Sequence, residues 1–246
     1  MDDLDSTRMP LWQHLEQLRK TLFRCLGIIL VGFCVTYYFS DRIIYFLEKP
    51  LLDIFPEGQK HLYFTGIGDK FFTYLKISTY SAIALTSPLL LYQIWSFVAP
   101  ALYRHEKRFF GPFIFLGTAA FVAGLVFTYT LVLPTGYKFL IEFGPKTEIP
   151  MITLVEYFST TVQLMMALGL VFELPVALML LAKFGIIEVK WLVKMRGHAY
   201  VLLAILAAVI TPTPDAFTML LVLVPLFLLY EVSVILVRWV TKPVVE

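Results

Sequence analysis

The sequence predicts an all-α polytopic membrane protein with six transmembrane helices, both termini in the cytoplasm, a short fifth and sixth helix pair and structured outer loops. Three observations predict this fold class. Hydrophobic residues make up 59% of the chain and charged residues only 15%, and the mean hydropathy of +0.79 is far above that of soluble domains. The apolar residues fall into six segments. The loops between these segments differ in their content of Lys and Arg.

The N-terminal part of the chain predicts an amphipathic helix over residues 9–22, lying at the membrane interface. Leu11, Leu15, Leu18 and Leu22 recur at helical spacing, with charged and amide side chains elsewhere around the wheel. The first apolar run begins only near residue 22, and no small-residue cleavage pattern follows it. We therefore expect this segment to remain in the protein as a membrane span and not to be removed as a signal peptide.

Six apolar segments follow one another in a single membrane domain, residues 1–246. Four are long enough for a hydrocarbon layer of about 30 Å, which takes about 20 helical residues. The fifth segment is short, and Glu231 interrupts the sixth, so we expect a short last hairpin that thins the bilayer or lines a water-filled recess. The predicted spans are 22–40, 72–95, 113–133, 158–184, 197–211 and 216–237.

The distribution of basic residues predicts the orientation. Six spans place both termini on the same side of the membrane, where we count thirteen Lys and Arg residues against six on the opposite side. The positive-inside rule then puts both termini in the cytoplasm. The longer loops, about 41–71 and 134–157, lie outside, and apolar residues such as Leu51 and Phe55 suggest that the first of them folds back as a short amphipathic cap.

Glu173 is the most informative acidic residue, because it lies near the middle of the fourth predicted span. A charged group at that depth is unfavourable by about 2.5–3.5 kcal/mol on insertion scales, so such residues commonly have a functional role. The alternative is a protonated carboxyl group hydrogen-bonded to a neighbouring helix. Pro175, two residues later, predicts a bend in the helix.

Three further acids have both a structural and a functional interpretation. Asp215 begins the sixth span, where a helix dipole favours an acid and where Thr213 is a plausible cap. Glu231 suits a solvated interfacial position. Glu106 lies among Arg104, Lys107 and Arg108, and is either a solvated loop charge or part of a binding surface.

The remaining polar residues indicate no catalytic or cofactor site. The four His residues have no metal-ligand spacing, so we expect no metal and no other cofactor. Cys25 and Cys34 lie on different sides of one predicted helix and do not suggest a disulfide. No nucleophile and base pair is visible, and the basic residues are too dispersed for nucleic acid. We therefore do not expect an enzyme.

Several motifs, taken together and in order, resemble the TatC family, the core subunit of the twin-arginine protein translocase. The resemblance covers nearly the whole chain, and its central motif, Phe97 to Glu106, is highly specific. The matching stretches are Met9-Pro10-Leu11, His14 to Arg19, Ser87-Pro88, Tyr92 to Glu106, Phe172-Glu173-Leu174-Pro175, Thr213-Pro214-Asp215 and Leu229-Tyr230-Glu231.

This resemblance implies a receptor for folded proteins that carry twin-arginine signal peptides. It implies export across the bacterial inner membrane, driven by the proton-motive force, with single-span partners of the TatA and TatB type and with further copies of the same chain. It also implies two groups of residues. The signal-peptide residues are Glu106, Phe97, Leu102, Tyr103 and the N-terminal helix residues Glu16, Gln17 and Arg19, and the intramembrane or partner-contact residues are Glu173, Asp215 and Pro50.

One position departs from the family pattern. The usual N-terminal motif is His-Leu-x-Glu-Leu-Arg, and its acid aligns with Gln17, whereas Glu16 is the acid in this chain. Neighbouring residues point about 100° apart on a helix. Either Gln17 offers a neutral acceptor to a guanidinium, or Glu16 swings in.

A different class of function also fits part of the pattern. Glu173 is placed as the proton or ion site of a proton-coupled secondary transporter would be. Against this alternative, the sequence shows no inverted repeat, and few other polar groups lie within the predicted spans.

Overall fold

The structure is a computed structural model that describes residues 11–55, 61–98, 110–144, 151–211, 213 and 215–241. These residues form an all-helical protein. One isolated parallel bridge is found among them, between Tyr63 and Thr153. The helices, in chain order, are α1 (Leu11–Tyr38), α2 (Ser40–Leu52), α3 (Asp69–Val98), α4 (Phe110–Phe127), a π-helical turn (Thr128–Val132), α5 (Leu133–Glu142), α6 (Leu154–Phe172), α7 (Leu174–Lys183), α8 (Val189–Lys194), α9 (Arg196–Ile210) and α10 (Ala216–Val240).

Each of the six predicted apolar segments coincides with one or two of these helices. Judged by length and composition, four helical stretches of the described chain are apolar enough to cross a membrane: Leu15–Tyr38, Gly111–Glu142, Leu154–Lys183 and Ala216–Val240. Helix α3 has 30 residues but a more polar composition. Helix α9 has 15 residues, about 22 Å, which is shorter than the hydrocarbon layer.

Helix α1 runs without interruption from Leu11 to Tyr38, through residue 22, where we expect an interfacial segment to give way to the first span. No proline lies within it, and a single glycine such as Gly27 weakens a helix without ending it. The amphipathic residues and the apolar residues that follow them are therefore parts of one helix.

Helix α2 is the predicted cap in the first long loop. Its buried residues include Ile44, Leu47 and Leu51, spaced three and four residues apart, as in an amphipathic helix. They form one apolar cluster with Ile77 of α3 and Phe158 of α6. The cap is therefore packed on the ends of two long helices.

A second and larger apolar cluster holds α4, α6, α7, α9 and α10 together. Helix α6 contributes to both clusters, through Phe158 to the first and through Leu164 and Leu168 to the second. By contrast, α1 packs mainly against α3. Helix α6 is thus the central element of the described fold.

Local hydrogen bonds and backbone conformations mark the ends of several helices. Asp69 begins α3, and its carboxylate accepts hydrogen bonds from the backbone N–H groups of Gly66 (2.6 Å) and Thr65 (3.1 Å). These bonds hold the pKa of Asp69 below its usual value. Helix α7 ends at Lys183, and Gly185, two residues later, has a φ of 70°, a left-handed conformation that glycine adopts easily.

Candidate functional site

The pairing of α1 with α3 organises one end of the molecule. The Thr36 hydroxyl donates to the backbone oxygen of Ser78 at 2.8 Å. Four residues earlier, Gly32 lies so close to α3 that a Cβ there would be 2.7 Å from Cγ2 of Thr86. These two contacts fix an antiparallel register between α1 and α3.

Extending this register towards the N-terminus brings Gln17 level with Phe97. Gln17 is half-buried, and it continues the stripe of covered residues, Thr21 and Cys25 among them, that leads to the α3 contact. Phe97 is also half-buried, one residue before α3 ends. The first turns of α1 therefore lie beside the end of α3.

Glu16 and Arg19 point away from this contact. Glu16 is exposed and pairs with Lys20 at 2.7 Å. Arg19 is exposed as well, with its guanidinium carbon 5.8 Å from the centre of the Phe23 ring. Of the two candidate positions in the N-terminal motif, Gln17 is on the α3 side of the helix.

The other predicted signal-peptide residues, Glu106, Leu102 and Tyr103, lie outside the described residues. In the sequence they belong to the segment that directly follows α3.

Glu173 lies at the break between α6 and α7. Helix α6 ends at Phe172 and α7 begins at Leu174, so Glu173 is both the C-cap of α6 and the N-cap of α7. Pro175 lies in the first turn of α7. The helix is thus interrupted at the place where Pro175 predicts a bend. The Glu173 side chain is half-buried, and no residue in the described part of the chain makes a hydrogen bond or ion pair with its carboxyl group. The hydrogen-bonded alternative therefore has no support among these residues.

A close helix crossing precedes Glu173. A Cβ on Gly124 of α4 would lie 2.9 Å from Cα of Gly169 and 2.9 Å from the backbone oxygen of Leu168, both on α6. Farther along the same pair, the rings of Phe127 and Phe172 are 5.5 Å apart. This packing fixes the end of α6 from which Glu173 projects.

Asp215 is the N-cap of α10. Its side chain accepts the backbone N–H of Thr218 at 2.7 Å. The expectation that Thr213 is the cap is therefore wrong, because the helix begins one residue after Asp215 and three residues after Thr213. The hydroxyls of Thr213 and Thr218 also lie beside the Asp215 carboxylate and, with the Thr218 N–H, favour its charged form.

Pro50 is buried inside α2 and leaves one backbone acceptor of that helix without an intrahelical donor. Proline has no N–H, so the oxygen of Phe46, four residues earlier, is free. The Tyr129 hydroxyl donates to this oxygen at 2.8 Å, and the Tyr129 ring stacks on Phe46 at 4.3 Å. Tyr157 donates to the adjacent Leu47 oxygen at 2.6 Å. Pro50 thus helps to attach the cap helix to the long helices.

One polar cluster was not foreseen. Glu231 of α10 pairs with Arg196 of α9 at 2.7 Å and accepts the Tyr200 hydroxyl at 2.6 Å. The Glu231 side chain keeps 35% of its surface exposed, so the new finding is its pairing with α9 and not a loss of all contact with solvent. The sequence did contain a signal for this pair. Arg196 lies at the start of the fifth predicted span and Glu231 near the end of the sixth, and a hairpin of these two spans brings both residues to the same end.

Comparison with known proteins decides the family. A sequence model of the family described as "Sec-independent protein translocase protein (TatC)" matches residues 13–225. The chain belongs to the TatC family. It is 39% identical over 231 residues to the TatC protein of Desulforapulum autotrophicum, covering 94% of this chain and 85% of that protein. It is 34% identical over 230 residues to TatC of Escherichia coli (strain K12), with 94% and 88% covered.

Solved TatC structures have the same fold. One described as the crystal structure of the twin-arginine translocase receptor TatC superimposes with a TM-score of 0.82 at 34% identity, covering 93% of this chain and 100% of that one. A second, determined in a detergent, gives 0.83 at 33% identity, with 92% and 99% covered. The expected family is confirmed. The chain is a multi-pass membrane protein and a receptor component of the Tat translocase, not an enzyme.

Proposed function

We propose that this chain binds the twin-arginine signal peptides of folded proteins at its cytoplasmic face. The supporting observation is the TatC match over residues 13–225, which includes the whole Phe97 to Glu106 motif. The pairing of α1 with α3 adds to it, because it brings the N-terminal helix to the chain that leads into this motif. This supports the proposal that the N-terminal helix and the motif that follows α3 in the sequence share one ligand.

Recognition rests on the geometry of a guanidinium group. In this proposal, the Glu106 carboxylate accepts two parallel hydrogen bonds from one arginine of the signal peptide. The Gln17 amide oxygen supplies a neutral acceptor from α1, since Glu16 points elsewhere and already pairs with Lys20. Arg19, Phe97, Leu102 and Tyr103 complete the surface around the peptide.

The test is crosslinking of the full chain, in membranes, to a signal peptide that carries a photoreactive residue beside its arginine pair. We expect Glu106→Ala to abolish the crosslink. The matched control is Glu188→Ala, which removes an exposed acid from a loop on the same predicted side. Unchanged crosslinking in the Glu106 variant, or equal loss in the control, would contradict the proposal.

A second pair of variants distinguishes the two N-terminal candidates. Gln17→Glu restores the family acid on the α3 side of the helix, and we expect stronger crosslinking because a carboxylate binds a guanidinium more tightly than an amide does. Glu16→Gln should leave crosslinking unchanged. The opposite pattern would show that Glu16 is the residue that contacts the peptide.

The proposal extends to assembly with single-span partners of the TatA and TatB type and with further copies of this chain, powered by the proton-motive force. Glu173, Asp215 and Pro50 are the proposed intramembrane and partner-contact positions. For Glu173, the position at the break between α6 and α7 supports this assignment, as does the lack of a hydrogen-bond or ion-pair partner among the described residues. The family match removes the reason to consider a small-molecule carrier.

Transport assays with membrane vesicles test the role of Glu173. We expect Glu173→Ala to lose transport of a folded substrate while signal-peptide crosslinking is retained. Glu156→Ala, which removes an exposed acid from the first turn of the same helix, is the control. Loss of both transport and crosslinking in Glu173→Ala would show that its role has been misassigned.

A further inference from the structure

Lys76 is an exposed cation within α3, inside the segment predicted as the second span. Its ammonium group donates one hydrogen bond, to the Ser159 hydroxyl of α6 at 2.8 Å. The ion pairs found within 4.0 Å in the described chain are Glu16–Lys20 and Arg196–Glu231, so no carboxylate among these residues neutralises Lys76. Among the described residues Lys76 therefore has no ion-pair partner within 4.0 Å, and its ammonium group is available to an anion.

Ser159 adds a second donor at the same place. Its oxygen accepts the bond from Lys76, and the hydroxyl proton finds no acceptor among the described residues. The ammonium group keeps two further N–H donors. Three hydrogen-bond donors and one positive charge therefore converge at the junction of α3 and α6, which is a favourable arrangement for the oxygens of an anion.

The depth of Lys76 indicates which anion is within reach. Helix α3 begins at Asp69, so Lys76 lies about 10 Å along a helix of about 45 Å. Centred on a hydrocarbon layer of about 30 Å, the helix extends about 7 Å beyond each edge, which puts Lys76 about 3 Å inside. A lysine side chain reaches from there to the headgroup layer.

The neighbouring side chains show that this face meets lipid. Phe72, one helical turn before Lys76 on the same side of α3, is 67% exposed, and Phe71 is 56% exposed. Large apolar rings in this position suit the boundary between headgroups and acyl chains. An ammonium group one turn deeper on the same face is directed at phosphate groups.

We infer that Lys76 and Ser159 form a binding site for one phospholipid, whose phosphate accepts hydrogen bonds from both side chains. The inference requires α3 to cross the membrane but does not depend on signal-peptide recognition. Under the proposed orientation the lipid belongs to the outer leaflet. The site favours lipids of net negative charge, such as phosphatidylglycerol, because the headgroup of phosphatidylcholine carries its own cation beside the phosphate.

The experiment is native mass spectrometry of the purified full chain, titrated with dioleoylphosphatidylglycerol or with dioleoylphosphatidylcholine. We expect the wild type to retain one phosphatidylglycerol more strongly than phosphatidylcholine, and Lys76→Gln to weaken that binding about fivefold. Ser159→Ala should weaken it less, and Lys76→Arg should restore it. Lys138→Gln, which removes an exposed lysine of α5 on the same predicted side, should have no effect.

Three outcomes would overturn the inference. They are equal phosphatidylglycerol retention in the wild type and Lys76→Gln, an equal loss in Lys138→Gln, and no preference between the two lipids. If lipid retention is unchanged but single-span subunits no longer co-purify with Lys76→Gln, the ammonium group pairs with an acid of a partner helix instead. Circular dichroism and the melting temperature of each variant, measured in the same detergent, separate these results from misfolding.

Discussion

At the residue scale, Asp215 combines a structural and a proposed functional role in one side chain. One carboxylate oxygen caps α10 by accepting the Thr218 N–H, and the hydroxyls of Thr213 and Thr218 lie beside the same carboxylate. The cap needs only an acceptor, whereas contact with a partner subunit uses the charge. Substitutions that keep the acceptor but remove the charge therefore separate the two roles.

We expect Asp215→Asn to keep the stability of the wild type, because asparagine is as good an N-cap as aspartate. Asp215→Ala should lower the free energy of unfolding by about 1 kcal/mol. Both variants should impair export of a folded substrate if the charge contacts a partner. Melting in detergent and an export assay measure the two effects, and normal export by Asp215→Asn would refute the partner role.

Glu231 illustrates how far single residues were predictable from sequence. Its position near the end of α10 followed from hydropathy, but its partners Arg196 and Tyr200 lie on α9, 35 and 31 residues earlier in the chain. Pairing of this kind depends on the rotation of two helices about their axes, which a pattern along one helix does not define. For the same reason the sequence left Glu16 and Gln17 as alternatives, and the α1–α3 register was needed to place Gln17.

At the element scale, the crossing of α4 and α6 depends on two glycines that meet backbone to backbone. Gly124 leaves no room for a Cβ, because the atoms in its way belong to the α6 backbone and cannot rotate aside. Gly27 of α1 is a useful contrast, since nothing lies within 4 Å of the position its Cβ would take.

We expect Gly124→Ala to lower the free energy of unfolding by about 1–3 kcal/mol, the usual range for overpacking. Gly27→Ala should instead raise it by about 0.5–1 kcal/mol, because alanine is the better helix former. Unfolding of both variants in the same detergent provides the comparison. An unchanged free energy of unfolding in Gly124→Ala would contradict this prediction, because it would mean that α4 and α6 admit the methyl group without loss of packing.

The link between Pro50 and Tyr129 makes a prediction about α2. Tyr129→Phe keeps the stack on Phe46 but removes the hydrogen bond to its backbone oxygen, so we expect a loss of about 1 kcal/mol. In a Pro50→Ala background, the backbone N–H of the new alanine donates to the Phe46 oxygen within the helix. Tyr129→Phe should then leave the free energy of unfolding nearly unchanged. Tyr45→Phe, at an exposed site on α2, is the control. Equal effects of Tyr129→Phe in both backgrounds would contradict the proposed link.

The elements themselves were largely predictable. Apolar runs located the long helices, and apolar residues such as Leu51 and Phe55 in the first long loop indicated the cap. The continuity of α1 through residue 22 did not follow from the pattern, because amphipathic and fully apolar stretches both favour helix, so a change in composition does not end one. Lys76 was overlooked as a site because its partner, Ser159, lies 83 residues away.

At the scale of the whole molecule, the proposed orientation is open to a direct test. Both termini are predicted to be cytoplasmic because Lys and Arg concentrate on that side. A fluorescent protein fused after Glu246 should therefore be bright, and alkaline phosphatase at the same position should be inactive. Phosphatase fused within residues 145–150 of the second long outer loop should be active. The reverse pattern of activities would invert the topology and move the proposed signal-peptide surface to the wrong side.

The attachment of α2 has a consequence for biosynthesis. The Tyr157 hydroxyl that holds the Leu47 oxygen is 110 residues further along the chain, and the bridge from Tyr63 to Thr153 also waits for α6. At a translation rate of about 5–20 residues per second, the first three helices exist for on the order of ten seconds before these contacts are available. During this interval α1 and α3 hold together by their own packing, and the cap has its contacts with α3 but not yet those with α6. Factors that assist membrane insertion therefore have a defined window in which to act on the nascent protein.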